Sequence, residues 1–287
     1  MIATPDNVRL VAEDLDHPEG LNFGPDGQLY AGGEAGQVYR IDPGSGQVTE
    51  IARTGGFHLG VAVDGGGWVY ACDCRQARVV RVPPAGEVTT YSTGTRDRPL
   101  RVPNYGVFDE AGNLYVSDSG DYWNPEGTGC LFVISPEGKT EVFHPGPLPF
   151  PNGLALDPSG EHLYVIQSTV PNVVRLPTRG GRTGSSVLEV VVTLEDCVPD
   201  GLAFDSRGRL YIGCYKPDAI YRFSEGDGLE TLIEDPTGEL LSRPTNLALG
   251  DGGLFFANLG GWHIGVVSVD VKGAPLHYPR LSNSESA

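Results

Sequence analysis

Lysine and arginine are scarce in this chain. Together they number 20, against 37 aspartate and glutamate residues, which gives a formal net charge of −17 at pH 7. A surface of that sign repels phosphate backbones, and no cluster of basic residues interrupts the acidity. We therefore exclude nucleic acid as an expected partner.

Long apolar runs and helical periodicity are also missing. The N-terminus, Met1-Ile-Ala-Thr-Pro-Asp-Asn-Val8, has no basic region followed by an apolar core, so we expect no signal peptide. No run approaches the length of a membrane span, and we expect a cytoplasmic protein without membrane contact. No stretch longer than a few residues keeps an apolar period of 3.6, and 41 glycines and 23 prolines argue further against helices.

Paired cysteines and the common catalytic motifs are absent as well. The five cysteines, an odd number, lie at positions 72, 74, 130, 197 and 214, which favours reduced thiols that act as small buried apolar groups. The sequence has no Gly-Lys-Ser/Thr phosphate loop, no Gly-x-Ser-x-Gly elbow and no His-Glu-x-x-His stretch. Nucleotide chemistry, serine hydrolysis and zinc proteolysis therefore have no support.

What the chain does contain is a unit repeated six times. The first copy is His17-Pro-Glu-Gly-Leu-Asn-Phe-Gly-Pro-Asp-Gly-Gln-Leu-Tyr30, and we call its third residue, Glu19, the slot. The six slots are Glu19, Leu59, Asn104, Asn152, Asp200 and Thr245, at intervals of 40, 45, 48, 48 and 45 residues. A glycine follows each slot by eight positions, at Gly27, Gly67, Gly112, Gly160, Gly208 and Gly253. Such intervals are typical of propeller blades.

Each unit predicts four strands. A short apolar run, a turn rich in Asp, Pro and Gly, and a strand that carries Leu-Tyr form a tight hairpin, and two further strand-like runs follow, as in Cys130-Leu-Phe-Val-Ile134 and Thr140-Glu-Val-Phe143. Six such units predict an all-β fold, a six-bladed β-propeller with four antiparallel strands per blade. Because the repeat has no linker, we expect residues 1–287 to form a single domain.

The ring has two candidates for its closing strand. Val8–Ala12 precedes the first blade and has no blade of its own, so we expect it to become the outer strand of the sixth blade and to remove the open sheet edges. Residues 274–278 near the C-terminus offer a competing outer strand, and the sequence does not decide between the two.

Equivalent slots of a propeller face one central cavity, so their side chains define a candidate site. Glu19, Asn104, Asn152 and Asp200 supply oxygen ligands, which predicts a site for a hard cation, Ca²⁺ first and Mg²⁺ or Mn²⁺ behind it. The alternative is that these residues only cap strand ends. Their shared register favours the metal site, because a capping residue could stand anywhere in the unit.

The slot segments resemble those of a known family. Pro18-Glu19-Gly20, Pro103-Asn104, Pro151-Asn152-Gly153 and Pro199-Asp200-Gly201 are similar to the gluconolactonase, regucalcin (senescence marker protein) and luciferin-regenerating enzyme family, to which diisopropyl fluorophosphatase is related. The resemblance covers essentially the whole chain.

This resemblance implies a metal-dependent lactonase. Glu19, Asn152 and Asp200 would bind the cation directly, Asn104 would bind cation or substrate, and Asp200 would be the catalytic carboxylate. The expected cofactor is Ca²⁺, with Mg²⁺, Mn²⁺ or Zn²⁺ as alternatives, and the expected partner is a small lactone or ester. Sugar lactonases of this family carry arginine where this chain has Val102, with Arg101 one place away. That departure leaves the substrate open, as it does the choice between monomer and dimer.

Several further residues are candidates for the substrate pocket. His58 adjoins the second slot, and His263 lies in the last blade, although a lone histidine in a β-protein is more often structural. Tyr105 and Trp262 are candidate pocket walls, as are Tyr215 and Trp123; the last lies in the 118–129 loop, which also carries Tyr122 and Glu126. That loop either borders the pocket or packs over a sheet edge.

Three other functions remain open from the sequence. A phosphotriesterase could use the same cation, a strictosidine synthase-like enzyme would need no full ligand set, and an NHL-type propeller would bind a partner without catalysis. The acidic balance argues against RNA as such a partner, and polar residues at four slots argue against a purely structural ring.

Overall fold

The computed structural model describes residues 7–85, 87–121, 123–124, 127–178 and 187–281. These residues form 24 strands in six four-stranded antiparallel sheets, and the described ranges contain no α-helix. The sheets are arranged as a ring of blades, so the predicted six-bladed β-propeller is confirmed.

Strands run outward from the axis in chain order within each blade. Blade 1 contains β2 (Leu21–Phe23), β3 (Leu29–Gly32), β4 (Gln37–Ile41) and β5 (Val48–Arg53). Blade 2 contains β6 (His58–Val63), β7 (Val69–Asp73), β8 (Arg78–Val82) and β9 (Thr89–Ser92). Blade 3 contains β10 (Pro103–Phe108), β11 (Leu114–Asp118), β12 (Gly129–Ile134) and β13 (Thr140–Leu148).

The remaining blades follow the same order until the ring closes. Blade 4 contains β14 (Pro151–Leu156), β15 (His162–Gln167), β16 (Asn172–Pro177) and β17 (Glu189–Thr193). Blade 5 contains β18 (Val198–Phe204), β19 (Leu210–Lys216), β20 (Asp218–Ser224) and β21 (Gly228–Glu234). Blade 6 contains β22 (Pro244–Gly250), β23 (Gly253–Asn258), β24 (Ile264–Val267) and, outermost, β1 (Val8–Ala12).

The first strand of the chain closes the ring. Strand β1 pairs antiparallel with β24, with Val8 opposite Val267 and Leu10 opposite Gly265. This settles the choice that the sequence left open, because residues 274–278 form no outer strand.

The repeated hairpin explains why each unit needs its glycine and its Leu-Tyr. All six glycines have a positive φ, for example +78° at Gly208, a conformation that costs other residues energy. The turn aspartate binds backbone N–H groups of the turn and accepts a hydrogen bond from the tyrosine hydroxyl of the next strand, as Asp205 does from Tyr211 at 3.2 Å. The turn and the strand that follows it are therefore joined in each such unit.

The core lies between neighbouring blades and not in one central mass. Each of six apolar clusters joins residues of two adjacent blades. Edge-to-face aromatic pairs recur at these boundaries: Tyr70 with Phe108 at 5.0 Å and Tyr164 with Phe204 at 4.9 Å between ring centroids. Burial thus fixes how each blade sits against the next.

Residues 272–281, which we call the floor segment, cross the face of the propeller opposite the slots. Ala274 donates its N–H to Phe204 of blade 5, the hydroxyl of Tyr278 donates to the carbonyl of Phe23 in blade 1, and Gly65 of blade 2 donates to the carbonyl of Pro279. Beneath the segment lies a small cavity of about 60 Å³, lined chiefly by apolar side chains of four blades and by Leu276.

Four of the five cysteines are buried, and all five are free thiols. Within the described residues, no helix is long and apolar enough to cross a membrane.

Candidate metal centre

A break in strand pairing marks the slot of five blades. In blade 3, Pro103 pairs with Asp118 and the next paired residue is Gly106, so the slot residue Asn104 lies within a β-bulge. The same shift follows the residue before the slot in blades 2, 4, 5 and 6. Bulges turn side chains away from the regular alternation of a strand. In blade 1, strand β2 starts only at Leu21, and Glu19 precedes it.

The slot segments of neighbouring blades touch around the axis. A Cβ added to Gly20 would lie 2.7 Å from Cα of Gly60, and one added to Gly153 would lie 2.8 Å from Cα of Gly201. Any side chain at these positions would push two blades apart. The glycine after the slot therefore keeps the centre of the ring narrow.

Two serines hold the two slot asparagines in one orientation. In blade 3, Nδ2 of Asn104 donates to Oγ of Ser119 at 3.0 Å, and that hydroxyl donates to the carbonyl of Pro151 at 2.8 Å. Because the serine proton is used on the carbonyl, the hydroxyl must accept from the amide nitrogen. The amide oxygen of Asn104 is thereby directed away from the serine.

Blade 4 repeats this arrangement and extends it to the next slot. Nδ2 of Asn152 donates to Oγ of Ser168 at 3.2 Å and to Oδ2 of Asp200 at 3.2 Å, while Ser168 donates to the carbonyl of Pro199 at 2.7 Å. Asn152 therefore connects the slots of blades 4 and 5.

Three oxygens at the slots are buried without a partner in the described structure: Oδ1 of Asn104, of Asn152 and of Asp200. A buried acceptor without a donor is costly, so several at one centre indicate a missing electropositive group. Carboxylate and amide oxygens are the ligands that Ca²⁺ prefers. The residues present therefore fit a hard cation.

Burial disfavours the charged form of both carboxylates of the centre. Burial raises the pKa of Glu19 well above its usual value, and the charges of Asp200 and Glu34 raise it further. Burial raises the pKa of Asp200 to about 7, against the lowering effect of the hydrogen bond from Asn152. A bound divalent cation would reverse this effect.

The described residues contain no group of three or more His, Cys, Asp or Glu side chains that could hold a metal. The slot centre has only two carboxylates and otherwise relies on neutral amides. This donor set excludes a soft-ligand site of the cysteine and histidine type at the slots.

Blade 6 fixes the backbone of Glu19 instead of adding a carboxylate. The carbonyl of Glu19 accepts hydrogen bonds from Oγ1 of Thr245 at 3.2 Å and from Nδ2 of Asn246 at 2.9 Å. Asn246 also has a buried Oδ1 without a partner, which places one further amide oxygen beside the slots. The sequence comparison of slots alone did not identify it.

His17, Glu34 and two aromatic rings form a cluster beside Glu19, of which the sequence identified only Trp262. His17 lies two residues before Glu19 and has a positive φ of 48°. Its Nδ1 lies 2.8 Å from Oε2 of Glu34, and its ring contacts Phe57 and Trp262, at 5.5 and 6.1 Å between centroids. The signal was available, since Glu34 follows Tyr30 by the same four positions that separate Ser119 from Tyr115.

The two candidate histidines are engaged in hydrogen bonds. His58 is fully buried, with Nε2 2.9 Å from Oγ1 of Thr54 and Nδ1 3.1 Å from the carbonyl of Gln37. His263 is buried as well, with Nε2 3.0 Å from the carbonyl of Leu240. These bonds are of the structural kind, and a role for either residue in substrate binding stays a prediction.

The other candidate pocket residues lie at different depths. Tyr105 is buried, and its hydroxyl donates across the ring to the carbonyl of Leu21. Arg101 is exposed, and its N–H donates to Asp118 at 2.6 Å. Trp123 is 85% exposed and Trp262 49% exposed. Tyr122 and Glu126 lie outside the described residues.

Two family models match the chain. The model of the SMP-30/Gluconolactonase/LRE-like region matches residues 33–255, and a model of strictosidine synthase-like N-terminal regions matches residues 6–41. A gluconolactonase of Zymomonas mobilis is 28% identical over 211 residues, which cover 64% of this chain and 56% of the relative. A strictosidine synthase-like protein of Arabidopsis thaliana is 26% identical over 148 residues, which cover 48% and 37%. The matched segments thus cover about half of the length of these relatives, or less.

Solved structures of similar proteins agree on the fold. Luciferin-regenerating enzyme superposes with a TM-score of 0.78 at 18% identity, covering 95% of this chain and 99% of that one. A gluconolactonase from Xanthomonas campestris gives a TM-score of 0.76 at 18% identity, covering 93% and 89%. At this identity the likeness shows the propeller alone.

Proposed function

The chain belongs to the SMP-30/Gluconolactonase/LRE-like family, and on that premise we propose that it is a lactonase that depends on a divalent cation. The observation that carries the proposal is the group of buried, partnerless oxygens at the slots, two of them held in position by serines. The gluconolactonase relative supports a lactone as the substrate class.

The residues of the centre would hold Ca²⁺ through Glu19 and Asp200 and through the amide oxygens of Asn104 and Asn152. Bound there, the ion would polarise the lactone carbonyl and stabilise the negative charge that develops on its oxygen. Mg²⁺ and Mn²⁺ also prefer oxygen ligands, and Zn²⁺ accepts carboxylates. Restoring each cation in turn to chelator-treated protein decides between them.

Asp200 is the group that we assign to attack on the lactone. Asp200 is buried at the slot centre, and a cation bound there would lower its raised pKa, which weakens the carboxylate as a base and keeps direct nucleophilic attack open. Its Oδ2 is held by Asn152 and its Oδ1 has no partner among the described residues. Oδ1 would either take a proton from the water that attacks the acyl carbon or attack that carbon itself; the bond to the ring oxygen breaks in both cases, and in the second water then hydrolyses the acyl-Asp200 intermediate.

The first test is a proton-release assay on a panel of sugar and aliphatic lactones. Chelator-treated protein should be inactive, and one of Ca²⁺, Mg²⁺, Mn²⁺ or Zn²⁺ should restore turnover. Activity that is indifferent to chelation would contradict the proposal. Full cation binding without lactone turnover would redirect the search to phosphotriesters and other esters. The absence of both binding and turnover would leave a binding propeller.

Asp200→Asn tests the catalytic assignment in the same assay. We expect kcat to fall by roughly 10²–10⁴-fold, the usual contribution of a positioned acid or base, with the melting temperature little changed. Asp227→Asn, at an exposed turn of the same blade, is the matched control. Turnover near the wild-type level in Asp200→Asn would remove Asp200 from the mechanism. Single-turnover hydrolysis in ¹⁸O-water separates the two roles, because label in the protein excludes simple base catalysis.

A further inference from the structure

A second concave site lies between blades 5 and 6, away from the slots. It has a volume of about 610 Å³ and is lined by Arg207, Arg209, Arg222, Leu232, Val269 and Val271, among others. We call it the arginine pocket. Arg209 precedes the start of β19, whereas Asp200 lies near its end, so strand geometry separates the two sites by on the order of 15 Å.

The hairpin does not require arginine at position 209. In blade 5 the turn aspartate, Asp205, accepts a hydrogen bond from Nε of Arg209 at 2.7 Å, besides the one from the hydroxyl of Tyr211. In blade 3 the neutral Asn113 performs the same task on Asp109 at 2.8 Å. The guanidinium of Arg209 therefore has more hydrogen-bond donors than the turn uses.

The surplus donor is buried and has no acceptor. Nη2 of Arg209 is buried without a hydrogen-bond partner in the described structure. A guanidinium N–H that is shielded from water and left unpaired is costly, and an anion supplied from outside would satisfy it.

The charge around the pocket favours such an anion. Arg222 is paired with Glu230 at 2.6 Å, whereas Arg207 has no described carboxylate within 4.0 Å. Asp270 is the carboxylate among the lining residues, and since Asp205 pairs with Arg209 and Glu230 with Arg222, Arg207 supplies the unpaired positive charge of the pocket. Three of the 20 basic residues of an acidic protein thus converge on one pocket.

We propose that the arginine pocket binds a small oxyanion, a carboxylate or phosphate group on a molecule whose apolar part lies against Leu232, Val269 and Val271. Guanidinium groups recognise both anions through paired N–H donors. The volume is in the range of small-molecule sites. This site does not depend on the slot centre or on lactone hydrolysis.

Calorimetric titration of the full chain with phenyl phosphate, benzoate and inorganic phosphate tests the proposal at fixed ionic strength. We expect saturable binding of at least one of the two aromatic anions, and the stronger of them names the head group. Weaker binding of inorganic phosphate than of phenyl phosphate would reflect the apolar wall. No saturable binding below about 10 mM for any of the three would overturn the proposal.

Arg209→Asn copies the side chain of blade 3 and keeps a donor for Asp205. We expect it to weaken anion binding at least about 10-fold, since a charge-assisted hydrogen bond is lost. Arg175→Gln is the control. Arg175 occupies the place in blade 4 that Arg222 has in blade 5, opposite the repeated tyrosine, but it does not line the pocket. Unchanged affinity in a normally melting Arg209→Asn protein would refute the site. If that variant is destabilised, exposed Arg207→Ser decides, with the same expectation.

Discussion

The orientation of a single amide decides whether a slot asparagine can serve as a ligand. Ser119 and Ser168 occupy the same place, four residues after the repeated tyrosine, in the two blades that carry asparagine at the slot. Each serine hydroxyl accepts a hydrogen bond from the amide nitrogen and donates one to a carbonyl of the next blade. The ligand set and its supports therefore occur together in the sequence.

Ser168→Ala tests this support. Without the hydroxyl, the amide of Asn152 keeps only its bond to Asp200 and is held less firmly, so we expect Ca²⁺ affinity to fall by roughly 10–100-fold, as for other residues that orient ligands. Ser159→Ala, in the exposed turn of the same blade, should leave the affinity unchanged. Titration calorimetry measures both variants. Wild-type affinity in Ser168→Ala would show that the serine does not position the ligand.

The pH dependence of stability tests the pair of buried carboxylates. Burial raises the pKa of Glu19 and of Asp200. In the absence of a cation, the folded state therefore keeps protons that the unfolded chain releases from about pH 4 upward. Its free energy of unfolding should therefore fall as pH rises from about 4 to beyond 7. Ca²⁺ neutralises the ionised pair, so it should raise the melting temperature more at pH 8 than at pH 5. An equal increase at both values would contradict this account.

The slot register predicted four residues that the structure places in buried positions around the axis, but it did not identify the groups that surround them. A repeat fixes the position of a residue along its strand, whereas contacts across the ring depend on how neighbouring blades approach. Asn246 and His17 reach the centre or its border in that way and were not predicted, whereas Trp262 was predicted as a pocket wall.

Hairpins are the elements that the sequence specified most fully. Gly208 illustrates this: its φ is +78° and a Cβ there would meet nothing within 4 Å, so only backbone conformation demands glycine. We expect Gly208→Ala to lower the free energy of unfolding by about 1–2 kcal/mol.

Gly226→Ala is the matched control for that substitution. Gly226 lies in another turn of blade 5, also with open space around a Cβ, but without a positive φ. Its replacement should be neutral or slightly stabilising, because alanine restricts the unfolded chain. Chemical denaturation measures both. Equal effects of the two substitutions would show that the repeated glycine has no conformational role.

Element boundaries were less predictable than element types. The sequence indicated an outer strand over Thr140–Phe143, whereas β13 extends to Leu148 across Pro145 and Pro147. Proline normally ends a strand, but the outermost strand of a blade has a free side and tolerates it at irregular pairings such as the shift between Gly129 and Leu131. Propensity alone could not reveal which strand has that freedom.

For the molecule as a whole, the strand that closes the ring forms the outer edge of blade 6 and joins the two ends of the chain. Ser268 donates its N–H to the carbonyl of Asn7, and bonded pairs alternate along antiparallel strands, so the N–H of Arg9 faces β24 and that of Leu10 faces solvent.

Arg9→Pro and Leu10→Pro separate closure from strand propensity. The first removes a ladder bond and leaves a carbonyl unsatisfied, so we expect a loss of roughly 1–3 kcal/mol and a lower melting temperature. The second removes only a solvent-facing N–H and should cost much less. Thermal unfolding compares them, and equal melting temperatures would show that β1 contributes little to closure.

The six blades followed from the repeat, whereas the closing strand was left open between two candidates and the course of the floor segment was not predicted. Residues 272–281 repeat nothing, and their contacts with blades 1, 2 and 5 come from separate regions of the chain. A segment whose partners are all distant in sequence carries no local pattern that could predict its path.

Closure by β1 also imposes an order in time. Val8 leaves the ribosome first, and its partner Val267 follows about 259 residues later. At about 5–20 residues per second, this interval is on the order of ten to fifty seconds. During synthesis the first strand can pack against blade 1, but it lacks its hydrogen-bonded partner strand until the last blade has emerged.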